Sequence, residues 1–272
     1  MLGAGIHTFL RFLLEKWIMS AIAVGIIAFM CVFGGTLLGL LLRKTLPDHH
    51  LTGDSKDAVK MGTGLIATLS ALVLGLLVSS AKNSFDDMSS EITQSSAKLI
   101  MLDRTMTHYG PETQPIRQML SRSVVAVIKM IWPEKNTKID GIGAFEKAPA
   151  SMEIVADKLR ELTPQNDSQR ALQSEALQLC KEILQTRWLA IEQAQTSLPP
   201  TFLVVLLFWL TILFGSIGLF APSNKTVLVV LFVCAMSVGG AIFLIEEMNK
   251  PLRGIVKVSS APLIKAVENM GK

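Results

Sequence analysis

Apolar residues gather in four blocks along the chain, and polar sequence separates them. The first block runs from about Trp17 to Leu42 without a charge, between Lys16 and the Arg43-Lys44 pair. About 20 apolar residues cover ~30 Å of hydrocarbon, so this block crosses a bilayer with tilt; it also exceeds the ~7–15 apolar residues of a secretory leader. The other blocks cover 61–81, 201–221 and 226–245, and only Pro222, Ser223, Asn224 and Lys225 join the last two, which predicts a tight antiparallel hairpin. The expected fold is an all-α membrane protein: four transmembrane helices, with a cytosolic helical bundle over 82–200 inserted between spans two and three. An outer loop over 43–60 and a cytosolic C-terminal segment over 246–272 complete the division.

Ahead of the first span, Ile6, Phe9, Leu10, Leu13, Leu14 and Trp17 recur at helical spacing among polar residues. This predicts an amphipathic helix over 1–16 lying along the headgroups, or else packed on the bundle. From Leu76 to Tyr109 there is neither Gly nor Pro, so the second span continues as one helix until Gly110-Pro111 stops it. About 50 such residues would reach ~75 Å. Within it Phe85, Met88, Ile92, Ser95, Leu99, Leu102 and Met106 alternate steps of three and four, a seam for packing on other helices. A second helix is expected to end at Trp132-Pro133, followed by a loop over 133–149 and a third helix over 151–162. A fourth should run to Leu198, with Leu172, Ala176, Leu179, Ile183, Thr186 and Ala190 as its seam, widened by Leu177, Leu184, Trp188 and Ile191.

Charge changes the picture little. The net charge is +4, yet Lys82 to Leu198 holds 14 Lys/Arg against 15 Asp/Glu, so the basic excess lies near the membrane segments and implies no nucleic-acid partner. Near the spans, Arg11, Lys16, Lys82, Lys98, Lys181, Arg187, Lys250, Arg253, Lys257 and Lys265 oppose Arg43, Lys44, Lys56, Lys60 and Lys225. Ten against five places the termini and bundle in the cytoplasm, although Arg43 and Lys44 argue the other way. Cys31, Cys180 and Cys234 have no metal-site spacing and read as thiols filling small gaps. His49-His50 lacks a third ligand, so no metal or cofactor is expected. Hydrolase, zinc-protease and phosphate-loop signatures are missing, and so is a potassium-filter sequence; no enzyme is expected.

Two features of the second span are candidates for function. Thr63, Ala67, Ala71, Gly75 and Ser79 fall at every fourth position, a small-residue row for helix packing. Such a row serves first for packing within one subunit, and otherwise for subunit contact or a pore lining. Cys31, Gly35 and Gly39 repeat it in the first span, and Ala235 and Gly239 in the fourth. Below it, Ser79, Asn83, Asp86, Ser90 and Gln94 lie opposite the seam and could line a water-filled vestibule; an ordinary solvated face is the plainer reading. In an oligomer, Asp86, Asp87 and Glu91 would form carboxylate rings favouring cations. Glu246 and Glu247 close the fourth span at its boundary.

Several stretches together resemble the bacterial bestrophin-like membrane proteins. They are Asp54 to Asp57, Gly62 to Leu69 and Leu72 to Leu77 around the second span, and Leu102-Asp103-Arg104 and His108 to Glu112 further along. After the fourth span come Glu247 to Gly254 and Val258 to Leu263, where Asn249 and Leu252 replace the family's usual Asp and Phe. The resemblance implies a channel-like homo-oligomer, a pentamer by analogy with true bestrophins, in the bacterial inner membrane and passing inorganic ions. The second span would then line the pore, with Leu69, Leu72, Val73, Leu76 and Val78 as candidate constrictions beside Ser79. A rival expectation is a non-conducting scaffold or signalling protein whose bundle binds a partner; a motor-type proton-channel subunit ranks third. Beside the resemblance, Arg104 and His108 suit a helix C-terminus, with Gly110 as the residue that ends it.

Overall fold

The structure, a computed structural model, describes residues 21–46, 53–132, 151–195, 199–222, 224–252 and 254–270. The predicted interfacial helix over 1–16, residues 17–20 of the first span, the His49-His50 pair and the loop over 133–149 lie outside them. Every described element is helical: α1 (Ala21–Thr45), α2 (Gly53–Tyr109), α3 (Gln114–Ile131), α4 (Ser151–Arg160), α5 (Asp167–Gln195), α6 (Pro200–Phe220), α7 (Lys225–Met248) and α8 (Ala261–Asn269). Four of these are long and apolar enough to cross a membrane, over Ala21–Thr45, Val59–Tyr109, Thr201–Phe220 and Lys225–Met248. The chain forms two compact units, Met1–Asn83 with Leu198–Asn249 and Ser84–Ser197 with Lys250–Lys272.

In the first unit α1 packs against both α6 and α7. Hydrocarbon gives apolar helices no hydrophobic reason to associate, so close backbone approach has to hold them, and glycine permits it. A Cβ placed on Gly35 would lie 2.7 Å from the Thr211 carbonyl oxygen, and one on Gly39 would collide with the carbonyl of Gly215. On the other side of α1, a Cβ on Gly239 would come within 2.8 Å of the Gly25 oxygen. The small-residue rows of the first and fourth spans are therefore filled inside the chain. Phe232 of α7 meets Phe29 and Phe33 of α1 edge-on at 5.3 and 5.4 Å, each such pair adding ~0.5–1.5 kcal/mol. Arg43, one of two charges that argued against the orientation, donates to the Ala221 carbonyl at the C-terminus of α6. It satisfies a terminal carbonyl that the helix itself leaves open.

The second unit is built on the predicted seams. Met88, Ile92, Leu99, Leu102 and Met106 of α2 are buried with Leu120 of α3, Val155 and Leu159 of α4 and Leu179, Cys180 and Ile183 of α5. Trp188, expected on the packed face of α5, is 57% exposed. At ~100° per residue it sits ~160° from the centre of the Leu172–Ala190 seam, which explains the difference. Burial pushes the Cys180 thiol up to about 12, against a weaker lowering by Arg160. Gly110 ends α2 with φ of 140°, a conformation side chains rarely adopt. The freed carbonyls are taken up locally: Thr113 Oγ1 donates to Met106 O at 2.6 Å, and Gln169 Nε2 to Tyr109 O at 3.0 Å. Gln173 Nε2 caps α4 in the same way, donating to Leu159 O at 2.7 Å and Leu162 O at 2.9 Å. Trp132 Nε1 donates to Val258 O at 2.9 Å, tying the C-terminal segment to α3.

Candidate functional site

A helix turns ~100° per residue, so alternating steps of three and four stay on one face. In α2 two such faces run back to back. The closed one holds Ser70, Leu77 and Ala81, all buried, with Val73 and Leu74 packed beside them against the core of the first unit. In the second unit the same register continues through the Met88–Met106 seam.

The open face reads Leu65, Leu69, Leu72, Leu76, Ser79 and Asn83 in the first unit, all exposed, then Asp86, Ser90 and Gln94 in the second, exposed as well. Its chemistry changes along the helix. Four leucines give way at Ser79 to hydroxyl, amide and carboxylate side chains. Gln94 Nε2 donates to Ser90 Oγ at 3.1 Å within the polar part.

Most of the predicted lining residues fall on this face or next to it. Leu69, Leu72, Leu76, Val78 and Ser79 are exposed, whereas Val73 is half-buried and packs into the chain's own core. Asn83, Asp86, Asp87 and Ser90 are exposed; Glu91 is half-buried and borders a partly open cavity.

The small-residue row is divided between the two faces. Steps of four residues drift by ~40° each, so the row begins on the closed side and ends on the open one. Thr63 and Ala67 are half-buried, while Ala71, Gly75 and Ser79 are exposed. A Cβ on Gly75 would meet nothing within 4 Å. Packing within one subunit, the first expectation for this row, is therefore not where Ala71, Gly75 and Ser79 are placed.

An ion pair at the far end of α2 escaped the sequence reading. Arg117 of α3 donates from Nε and Nη2 to the two carboxylate oxygens of Asp103, both at 2.8 Å. Their side chains are 13% and 5% exposed. The bond to Asp103 holds the guanidinium pKa above its ordinary value, more than burial lowers it. In the sequence Asp103 stands out only within the Leu102-Asp103-Arg104 stretch of the family resemblance; its place directly after Leu102 in the seam is the available signal. Arg104 and His108, the other polar residues of that motif, are exposed. Glu247 at the end of α7 is buried and Glu246 half-buried.

Comparison with known proteins bears on the family and the fold. The family model described as the bestrophin-like domain matches residues 16–263. Among solved structures, a point mutant of a bacterial bestrophin homolog from Klebsiella pneumoniae is similar at a TM-score of 0.64 with 13% identity, covering 90% of this chain and 97% of that one. The structure of the Klebsiella homolog phased on zinc gives 0.61 at 11% identity, with 90% and 96% covered. No curated protein matches the chain in sequence. At such low identity the structural likeness carries the fold and nothing finer.

Proposed function

The chain belongs to the bestrophin-like family, and on that premise we propose that it is a homo-oligomeric ion channel or pore of the bacterial inner membrane, lined by α2. The observation that carries this is the open face of α2. Only 11% of the apolar stretch of α2 is buried within the chain, against 39% for α1, 22% for α6 and 28% for α7. A stripe of leucines that turns polar at Ser79 suits a hydrophobic constriction opening into a wet vestibule. Leu69, Leu72 and Leu76 would form the constriction, and Asp86 and Asp87 the carboxylate rings that favour cations.

The second unit is then a cytosolic bundle, and both termini are cytoplasmic on the balance of basic residues. Partners are the lipid bilayer, further copies of the chain (five by the resemblance) and inorganic ions; nucleic acid has no part, and no catalytic step is assigned. Purified protein in liposomes should dissipate an imposed cation gradient. No flux of any ion under any gradient or voltage would contradict the proposal.

One observation favours the scaffold reading: α5 leaves Trp188 and Leu189 exposed side by side in sequence. Retention of a soluble partner by the wild-type protein, lost in a Trp188→Ala, Leu189→Ala double variant, would support it.

A further inference from the structure

The second unit contains a cavity of about 110 Å³ that the proposed pore does not use. Its origin lies in the seams. Ser95 stands between Ile92 and Leu99 in the seam of α2, where the pattern calls for a large apolar side chain. On α5 the seam passes from Ile183 to Thr186 and Ala190, and α3 contributes Ser123. Short residues from three helices thus meet where leucines would have closed the core, and a partly open cavity results.

We propose that this cavity binds a small uncharged molecule: an apolar body of roughly benzene size carrying one hydroxyl group. Size sets the first limit: the cavity is smaller than the ~150 Å³ that encloses benzene, so a ring of that size is held with one edge at its open side. The wall is mainly aliphatic, so an apolar body gains more from covering it than water does. Its polar groups set the second limit. Ser123 Oγ donates to Leu120 O at 2.7 Å and Thr186 Oγ1 to Glu182 O at 2.9 Å, which leaves both oxygens as acceptors. Glu91 and Arg187 also border the cavity, and Glu91 Oε2 and Arg187 Nε are shielded from solvent. Their charges are opposite, so a ligand ion of either sign would meet a like charge. A hydroxyl can donate to the oxygens of Ser123 and Thr186. The inference concerns the second unit alone and holds whether or not the protein conducts.

The test uses the full chain in lipid nanodiscs, titrated with 4-fluorophenol and followed by ligand fluorine relaxation. Saturable binding is expected, at least tenfold tighter than for fluorobenzene, which lacks the hydroxyl. Ser95→Leu fills the cavity and should abolish the saturable phase while preserving the melting temperature. Should that variant not fold, Ser123→Leu fills the same space from α3 and gives the same readout. Non-saturable uptake, or equal uptake by wild type and a folded filled variant, overturns the proposal. Fluorobenzene binding as tightly as 4-fluorophenol overturns the assignment of a hydroxyl-bearing ligand.

Discussion

α1 and the first part of α2 are both apolar membrane helices of one packed unit, and both carry small-residue rows. Their surroundings are opposite. Every glycine of the α1 row that was singled out touches backbone of a neighbour, whereas Gly75 of α2 faces open space. Apolar composition says that a helix crosses the membrane; it does not say what the helix faces. What separates the two is register: α1 and α7 approach at glycines, and α2 is held through Leu77 and Ala81 on one side only.

The contrast can be broken first at the closed face of α2. Asp103→Ala leaves Arg117 without the carboxylate that holds it in a nearly dry site, and a loss of ~3–5 kcal/mol is expected in chemical denaturation. The Asp103→Leu, Arg117→Met double variant should recover most of it. Recovery of nothing would show that the pair does more than neutralise a buried charge.

Next in size is the pair of glycine replacements. Gly39→Leu drives a side chain into the Gly215 backbone and should destabilise by ~1–3 kcal/mol or prevent folding outright. Gly75→Leu should change the melting temperature of the isolated subunit little, about what exposed substitutions do, within ~0.5–1 kcal/mol. Equal damage from both would erase the distinction between α1 and α2.

A smaller effect is expected at Ser70, whose Oγ is buried on the closed face with no hydrogen-bond partner among the described residues. Ser70→Ala removes an unsatisfied hydroxyl and should stabilise by about 1 kcal/mol in a thermal melt. Destabilisation instead would mean that the hydroxyl is satisfied in the assembled protein.

The last effect is a matter of pH and is absent under neutral conditions. Because the folded Cys180 thiol is raised from 9.0 to about 12, the folded state retains a proton that the unfolded state loses above pH 9. The stability this contributes is intact below pH 9 and falls as pH rises from 9 towards 12. In thiol labelling at pH 8, Cys180 should react only after unfolding. Rapid labelling in the native protein would place it outside the closed core.

Much of the fold was legible because packing imposes a period. The 3/4 spacing from Phe85 to Met106 predicted which side of α2 is buried, and Gly110-Pro111 predicted its end. The small-residue row is divided between the two faces because steps of four look aligned in sequence and wind around the helix in space. Trp188 was misplaced for a related reason: it is apolar, but off the seam. The Asp103–Arg117 pair and the Arg43 contact join residues from different helices; the seam hints at the burial of Asp103, but no local pattern names either partner. Ser95 and Thr186 were both read as seam residues; that their shortness coincides in space, leaving a cavity, is visible only once the helices are packed.

The central claim is that the open face of α2 looks into a pore, and not merely into lipid. Leu72 is 70% exposed on α2 and Met30 is 60% exposed on α1, so lipid contact alone would make them equivalent. Cation flux into liposomes should therefore be compared for Leu72→Ser and Met30→Ser at matched protein density. A hydrophobic constriction wetted by serine predicts that Leu72→Ser raises flux about tenfold while Met30→Ser leaves it unchanged. Equal flux from both variants, indistinguishable from wild type, would contradict the account.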